Sequence, residues 1–305
     1  MAGKEDIITS WFARQSRLSP ERFPIGIGDD MAEVRLAPGV SVLITTDMLL
    51  DGTHFDLAKV TLEQAAFKAM NVNLSDCAAM ATVPLCAVAA VALPAGFSVE
   101  QLKEVHDGIR RAGDAFDCPL VGGDITAWKS PQGRFAINIT MLSRPAEGIA
   151  PVRRSGARAG DVICVTGSLG GSLEGRHMSF TPRIREALAM ARTTRLHSMM
   201  DLSDGLSSDL NRICTQSGVG AVIEAAAVPV SDAARRRRDP LAAALNDGED
   251  FELLFTLPEE GYVLLGQACD FRISRIGRIV EGSGMRIVGT DGTTTDLQPL
   301  GYDHL

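Results

Sequence analysis

Aromatic side chains are scarce: Phe, Trp and Tyr make up 5% of 305 residues. A binder of single-stranded nucleic acid that stacks bases on rings needs more ring surface than this. Basic charge is also in deficit, with 30 Lys and Arg against 38 Asp and Glu, a formal net charge of −8. That balance repels a polyanion such as DNA, so no nucleic acid is expected as a partner. No Cys-x-x-Cys pair occurs among Cys77, Cys86, Cys118, Cys164, Cys214 and Cys269, most of which sit in apolar stretches. They read as reduced, buried small hydrophobes, not a disulfide frame or a zinc site. The longest apolar run, 85–97, is interrupted by Pro94 and too short to span a bilayer, and MAGKEDIITSW has no apolar signal core. The expectation is a cytoplasmic enzyme with no membrane partner. The Gly-x-x-x-x-Gly-Lys-Ser/Thr loop, His-Glu-x-x-His and Gly-x-Ser-x-Gly are all missing, and Gly26-x-Gly28 lacks the third glycine of a dinucleotide fingerprint.

What is present suits two ordinary domains. Hydrophobic residues make up 45% and charged residues 22%, and Gly occurs 30 times, so cores, tight turns and close backbone approaches are all available. Ile7, Ile8, Trp11 and Phe12 fall on helical spacing and predict an amphipathic helix over 5–15. The β-branched run 42–47 predicts a strand. Thr61 with Gln64, and Ser98 with Gln101, are capping-box pairs that predict helices running to Ala79 and to about Phe116. Strands are expected at 85–93, 119–123 and 135–143. The stretch RPAEGIAPVRRSGARAG, 144–160, has no period and marks a domain boundary, giving units 1–148 and 149–305. Beyond it the pattern predicts strands at 161–166, 221–226, 251–257, 273–279 and 285–288. Helices are expected to open at Thr181 and Pro182 and at about Leu206. Alternating helices and strands in both halves indicate an α/β and α+β class.

Acidic residues collect at the ends of hydrophobic segments beside Gly, Ser or Thr: Asp29 and Asp30 in GIGDD, Asp47 in ITTD, Asp76 in NLSD, Asp124 in VGGD, Asp201 and Asp204 in DLSDG, and Asp247, Glu249 and Asp250 in NDGED. Carboxylates converging at one rim repel unless cations or protons intervene. Oxygen donors without His or Cys nearby select Mg2+ or Ca2+ over zinc. Mg2+ between an acidic protein and a polyphosphate lets the two coexist, and the reading is an ATP-binding phosphotransferase acting on a small molecule. For any one of these sites the plain alternative is a turn or helix cap. DLSDG does not fit an EF-hand. The loop 167–171 is read equally as a phosphate cradle or a tight turn.

In order along the chain, GIGDDMAEV, ITTDMLLDGTHF, AFKAMNVNLSDCAAMATVP, VGGDIT, RRSGARAGD, VTGSLGG, MDLSDGLSSDL, NDGEDFELLFT and GYDHL resemble the thiamine-monophosphate kinase family, part of the wider group related to aminoimidazole-ribonucleotide synthetase. The resemblance runs from about Ile25 to the C-terminus. It implies a two-domain fold in which an N-terminal α/β domain forms a barrel-like dimeric sheet and a C-terminal α+β domain completes a nucleotide cleft. It also implies a homodimer that makes thiamine diphosphate from ATP and thiamine phosphate. Carried over, it implies Mg2+ ligands at Asp30, Thr45, Thr46, Asp47, Asp76, Asp124, Asp201 and Asp204, with Asp47, Asp124 and Asp204 at the transfer centre. ATP contacts are implied at Gly123, Asp124, Arg154 and Ser203, and thiamine phosphate contacts at His54, Glu249 and Tyr302. Two features depart from the family's pattern, both near the implied acceptor end: the short GSLEGRHMSFTPRI, and NDGED in place of Gly-Gly-Glu-Asp. A related phosphotransferase with another acceptor and a non-catalytic nucleotide-binding regulator stay open as alternatives. His106, His177 and His197 are assigned no chemistry. Arg235 to Arg238 read as a solvated helix face, and Met190, Met199 and Met200 as core.

Overall fold

The computed structural model describes residues 4–302, so the last three residues of GYDHL lie outside it. The chain runs α1 (Lys4–Gln15), β1 (Ala32–Ala37), β2 (Val40–Leu50), α2 (Leu62–Ala79), β3 (Thr82–Leu93), α3 (Val99–Asp114), β4 (Leu120–Ala127) and β5 (Ala136–Pro145). It continues β6 (Val162–Thr166), α4 (Ile184–Thr193), β7 (Ser198–Asp201), α5 (Leu206–Ser217), β8 (Gly220–Glu224), α6 (Asp232–Arg235), α7 (Pro240–Asn246), β9 (Leu253–Leu257), α8 (Glu259–Ala268), β10 (Ile273–Val280), β11 (Gly284–Val288) and β12 (Thr294–Asp296).

The first five strands form one open sheet in the order β1-β2-β5-β3-β4, antiparallel apart from the β3–β4 pair that α3 connects. Both capping boxes form. Gln64 N–H donates to Thr61 Oγ1 and Thr61 N–H to Gln64 Oε1, and Ser98 with Gln101 repeats the exchange, satisfying amides that a bare helix start leaves orphaned. Gly108 lets α3 lie close on α2, since a Cβ there would sit 2.2 Å from Glu63 O. β2 alternates strictly: Leu43, Thr45, Asp47 and Leu49 point to the helix-covered face, and Ile44, Thr46, Met48 and Leu50 to the other. That second face carries exposed Met48, Val88 and Leu50.

The second sheet runs β12-β11-β8-β10-β6-β9-β7, with β8 and β11 parallel and the other pairs antiparallel. Its strands β6 and β9 are buried throughout. Alternate residues of these strands serve two cores. Cys164, Met199, Phe255 and Leu257 join the core that contains α2 and the first sheet, whereas Ile163, Val165, Met200 and Leu254 pack with Leu206, Leu210 and Ile213 of α5. Helix α2 is therefore buried almost all round, pressed between the first sheet and β7. Met190, Met199 and Met200 are core, and all six cysteines are free thiols.

Several expectations need correction. The helix expected to open at Thr181 and Pro182 begins at Ile184, flanked by Arg183 with no side-chain cap. The Arg183 guanidinium instead clasps the buried Glu252 carboxylate at 2.8 and 2.7 Å. Strand β9 starts at Leu253, not at 251, because Glu249 and Phe251 both take positive φ, 57° and 48°. Strand β8 stops at Glu224 and passes into a 3-10 turn, Ala225–Ala227. The segment 172–178 forms two 3-10 turns, and β1, β7, β12 and α6 to α8 lack the length or period that would have announced them. Helix α1 forms as expected, but Ile7, Trp11 and Phe12 are exposed; its Asp6 pairs with Arg212 of α5 at 2.9 Å. Arg236 and Arg237 lie at the surface, paired with Glu174.

Candidate active site

A cleft of about 1200 Å³ lies where the loop 24–30, β2, the end of β7, the loop 203–204 and the loop 247–251 meet, with α1 along one side. At its floor one carboxylate oxygen each from Asp30, Asp76 and Asp201 lies within 4.8 Å of the others. The local structure explains the convergence. The inward alternation of β2 brings Thr45 and Asp47 under the sheet, where Thr45 Oγ1 donates to Asp76 Oδ2 at 2.5 Å. Buried α2 presents Asp76 from below the sheet, and its Ser75 hydroxyl donates to Asp201 Oδ2 at 2.5 Å, joining the first unit to the end of β7.

The electrostatics follow from burial and like charge. Burial first, and then Asp30, pushes the Asp201 carboxyl up to about 7. Asp47 is pushed up to about 6, mainly by burial and against a lowering hydrogen bond with Asp76. Asp76 is driven well above the usual range by burial and then by Asp47, Asp201 and Asp30. Asp29 reaches about 6 through burial and Asp30. The Oδ2 atom of Asp47 is buried and has no hydrogen-bond partner among the described residues. Buried carboxylates aimed at one another, with a lone-pair oxygen unspent, are oxygen-only donors arranged for a small hard cation, and they fit Mg2+.

Arg154 lies beside them. Its fork holds Asp30 through Nε at 3.1 Å and Nη2 at 2.7 Å, while its backbone N–H donates to Asp29 at 2.8 Å. Asp204 lines the same cleft, but its carboxylate is held by Arg212 Nη1 at 2.5 Å, and Arg212 also binds Asp209 and Asp6. Ser203 lines the cleft and its carbonyl accepts from Glu249 N–H at 2.6 Å.

His54, Glu249 and Tyr302 also line the cleft, where the Glu249 and Tyr302 N–H groups donate to the carbonyls of Ser203 and Asp204 at 2.6 and 2.9 Å. Glu249 meets a lysine not anticipated from the sequence. The side chain of Lys68, on α2, is fully buried, and its ammonium contacts Glu249 Oε2, His54 O at 2.7 Å and His177 Nδ1 at 3.0 Å. Burial works to raise the Glu249 carboxyl, but neighbouring His177 and Lys68 outweigh it, so Glu249 sits below the usual carboxylate range. Burial pulls the Lys68 ammonium below its usual range, with Glu249 opposing.

One chain thus gathers Asp30, Thr45, Asp47, Asp76, Arg154, Asp201, Ser203, Asp204, His54, Glu249 and Tyr302 around one cleft. Thr46 lines the cleft, but its hydroxyl points to the opposite face of the sheet and bonds Asn138 and Thr140. Gly123 and Asp124 are exposed on edge strand β4 and do not line the cleft. The register Met48–Asn138–Ala90–Asp124 puts Asp124 on that same opposite face. The loop 167–171 is not a phosphate cradle, because Gly170 N–H donates to Asp250 Oδ2 at 2.7 Å and Gly171 N–H to Asp247 Oδ2 at 2.9 Å. Residues passed over include Arg212 and Lys68. Each had a readable signal: Arg212 falls three residues after Asp209, and Lys68 is a lone cation in the apolar run AAFKAM. His177 had none.

The chain matches the AIR synthase related protein N-terminal domain over residues 28–144 and the AIR synthase related protein C-terminal domain over 158–289. Fold and site thus define an AIR-synthase-related protein of two such domains. A thiamine-monophosphate kinase of Rhodopirellula baltica is 38% identical over 274 residues, 86% of this chain and 85% of that one. That of Escherichia coli K12 is 34% identical over 338 residues, 99% and 98% of the two chains. Within the wider group, this chain belongs to the thiamine-monophosphate kinase family. The solved structure of AaThiL complexed with AMPPCP and TMP is similar at TM-score 0.84 and 29% identity, covering 99% of this chain and 97% of that one. Among the described residues no helix is long and apolar enough to cross a membrane.

Proposed function

We propose that the chain transfers the γ-phosphate of ATP to thiamine phosphate, giving thiamine diphosphate and ADP, with Mg2+ held by Asp30, Asp47, Asp76 and Asp201. The observation that carries this reading is the buried carboxylate group at the floor of a cleft large enough for both substrates. Family membership and the likeness to AaThiL, which binds AMPPCP and TMP, support the same pair of substrates.

In the reaction a phosphate oxygen of the acceptor attacks the γ-phosphorus, and the bond to the β–γ bridging oxygen breaks as ADP leaves. The attacking oxygen is already anionic near neutral pH, so the site needs no strong general base. The obstacle is bringing two polyanions into a pocket lined with carboxylates. Bound Mg2+ would neutralise phosphate oxygens and orient them. Arg154 supplies a second, planar positive charge at the floor, and Ser203 and Asp204 border the same space. His54, Glu249 and Tyr302, which line the same cleft beside Ser203 and Asp204, receive the acceptor.

We assign residues 1–148 to ATP and Mg2+ binding and dimerisation, and 149–305 to completing the nucleotide and substrate cleft, with Asp201 closing the metal floor. The open face of the first sheet exposes Met48 at 59%, Val88 at 41% and Val121 at 62%, an apolar surface suited to a second copy. In a homodimer formed there, edge strand β4 would carry Gly123 and Asp124 onto the neighbouring chain, and with them their ATP and metal roles. The deciding experiment incubates pure protein with ATP, Mg2+ and thiamine phosphate and measures thiamine diphosphate. Metal-dependent product is the expected result; ADP released only with another acceptor, or none with any, overturns the reading.

A further inference from the structure

The cleft wall at 172–178 delivers His177 against Lys68 and Glu249. We propose that Lys68 is a positioning residue that fixes His177 as the Nε2–H tautomer beside an ionised Glu249, so that the two present a paired donor and acceptor that recognises the aminopyrimidine edge of the phosphate acceptor. This rests on thiamine phosphate being the acceptor.

The argument starts from donors and acceptors. A protonated lysine has three N–H groups and no lone pair. The side chain of Lys68 is fully buried, and its Nζ has three neighbours able to accept: the His54 carbonyl, Glu249 Oε2 and His177 Nδ1. A proton on Nδ1 would satisfy the 3.0 Å contact with Glu249 Oε2, but it would also set two donors against each other at 3.0 Å and leave one buried ammonium N–H unmatched, an expensive arrangement away from water. Nδ1 is therefore bare, its 3.0 Å approach to Glu249 Oε2 is bridged by the ammonium, and the ring proton sits on Nε2. The ring lines the cleft and is only 13% exposed, while Nε2 and Glu249 Oε1 bond no group among the described residues. A carboxylate oxygen next to an imidazole N–H matches a ligand edge with an exocyclic amine next to a ring nitrogen. Oε1 accepts from the amine and Nε2–H donates to the ring nitrogen. Phe251, stacked on Phe180 with centroids 4.2 Å apart, lines the same cleft and offers a flat apolar wall.

The test is direct calorimetric titration of thiamine phosphate, and of its analogue with a hydroxyl in place of the pyrimidine amine, into wild type, His177→Ala and Glu249→Gln. In wild type the analogue, whose ring nitrogen carries a proton, binds far more weakly than thiamine phosphate. His177→Ala is expected to weaken thiamine phosphate about tenfold and to shrink the discrimination by a similar factor, with ATP affinity unchanged. Unchanged acceptor affinity, or a parallel loss of ATP affinity, overturns the inference. The nitrogen-15 spectrum of His177, assigned by difference against His177→Ala, should show a bare Nδ1 and a protonated Nε2, a pattern that Lys68→Met or Lys68→Arg disturbs. A proton on Nδ1 in wild type refutes the tautomer. Binding is read without turnover, so failure to form thiamine diphosphate would sink the proposed function separately from this result.

Discussion

Replacing Asp201 by Asn tests the metal floor most sharply, because it should stabilise the metal-free protein while abolishing its chemistry. Asp201 is 3% exposed, and its carboxyl is pushed from 3.8 to about 7 by burial and by Asp30. Holding it charged at pH 8 therefore opposes folding by up to about 4 kcal/mol, at 1.36 kcal/mol per unit. Asp47 and Asp76 share the same repulsion, so a single substitution recovers roughly 2 kcal/mol, or about 4 °C in Tm for a protein of this size. Asn keeps the shape and still accepts the Ser75 proton. The sign of the pH dependence follows. The folded pKa lies above the unfolded one, so the native state binds the extra proton. In EDTA wild type gains stability as pH falls from 8 through 7 towards 4, and the advantage of the variant shrinks over the same window. Added Mg2+ reverses the order, because wild type gains by mass action and Asp201→Asn barely responds. Thermal melts at pH 8 and pH 5.5, with EDTA or Mg2+, measure all four cases. A variant less stable than wild type in EDTA at pH 8, or one with a full Mg2+ response, would refute the reasoning.

Other expected outcomes test separate parts of the structure. Arg154→Lys keeps the charge but loses the fork on Asp30, and should lower kcat/KM for ATP by roughly 10- to 100-fold without unfolding the protein, read by steady-state kinetics. Gly170 has φ of 82°, and a Cβ there would lie 2.6 Å from Ala244 N; Gly170→Val should destabilise by about 3 kcal/mol in urea unfolding. Met48→Glu with Val88→Glu puts two charges on the open sheet face and should give a monomer in analytical ultracentrifugation, with the far-UV CD spectrum unchanged. A persistent dimer would move the interface elsewhere.

How much of the site could be read in advance differs residue by residue. Thr61–Gln64 and Ser98–Gln101 announced α2 and α3 to within a residue or two, because a capping box is local chemistry that needs no tertiary partner. Asp30, Asp47, Asp76 and Asp201 were recognisable as a set, since each ends a hydrophobic segment beside a small residue. Thr46 and Asp124 show the limit. Period-2 alternation separates Thr45 from Thr46, but it does not say which face a helix will cover. Edge or centre, as for β4, is a property of the assembled sheet. Helix α1 has the spacing of a core-facing helix, yet its ion pair to Arg212 holds it along the cleft with Trp11 outward.

Local pattern alone announced the longer helices and strands, the acidic residues beside small ones and, through ordered motifs, the family. Those properties depend on neighbours a few positions apart. Packing decided which carboxylates meet, that Arg212 takes Asp204 and that Lys68 comes to lie under Glu249, 181 positions away along the chain. Such contacts arise only when two sheets close on a shared helix, and burial then sets the charge each group can keep.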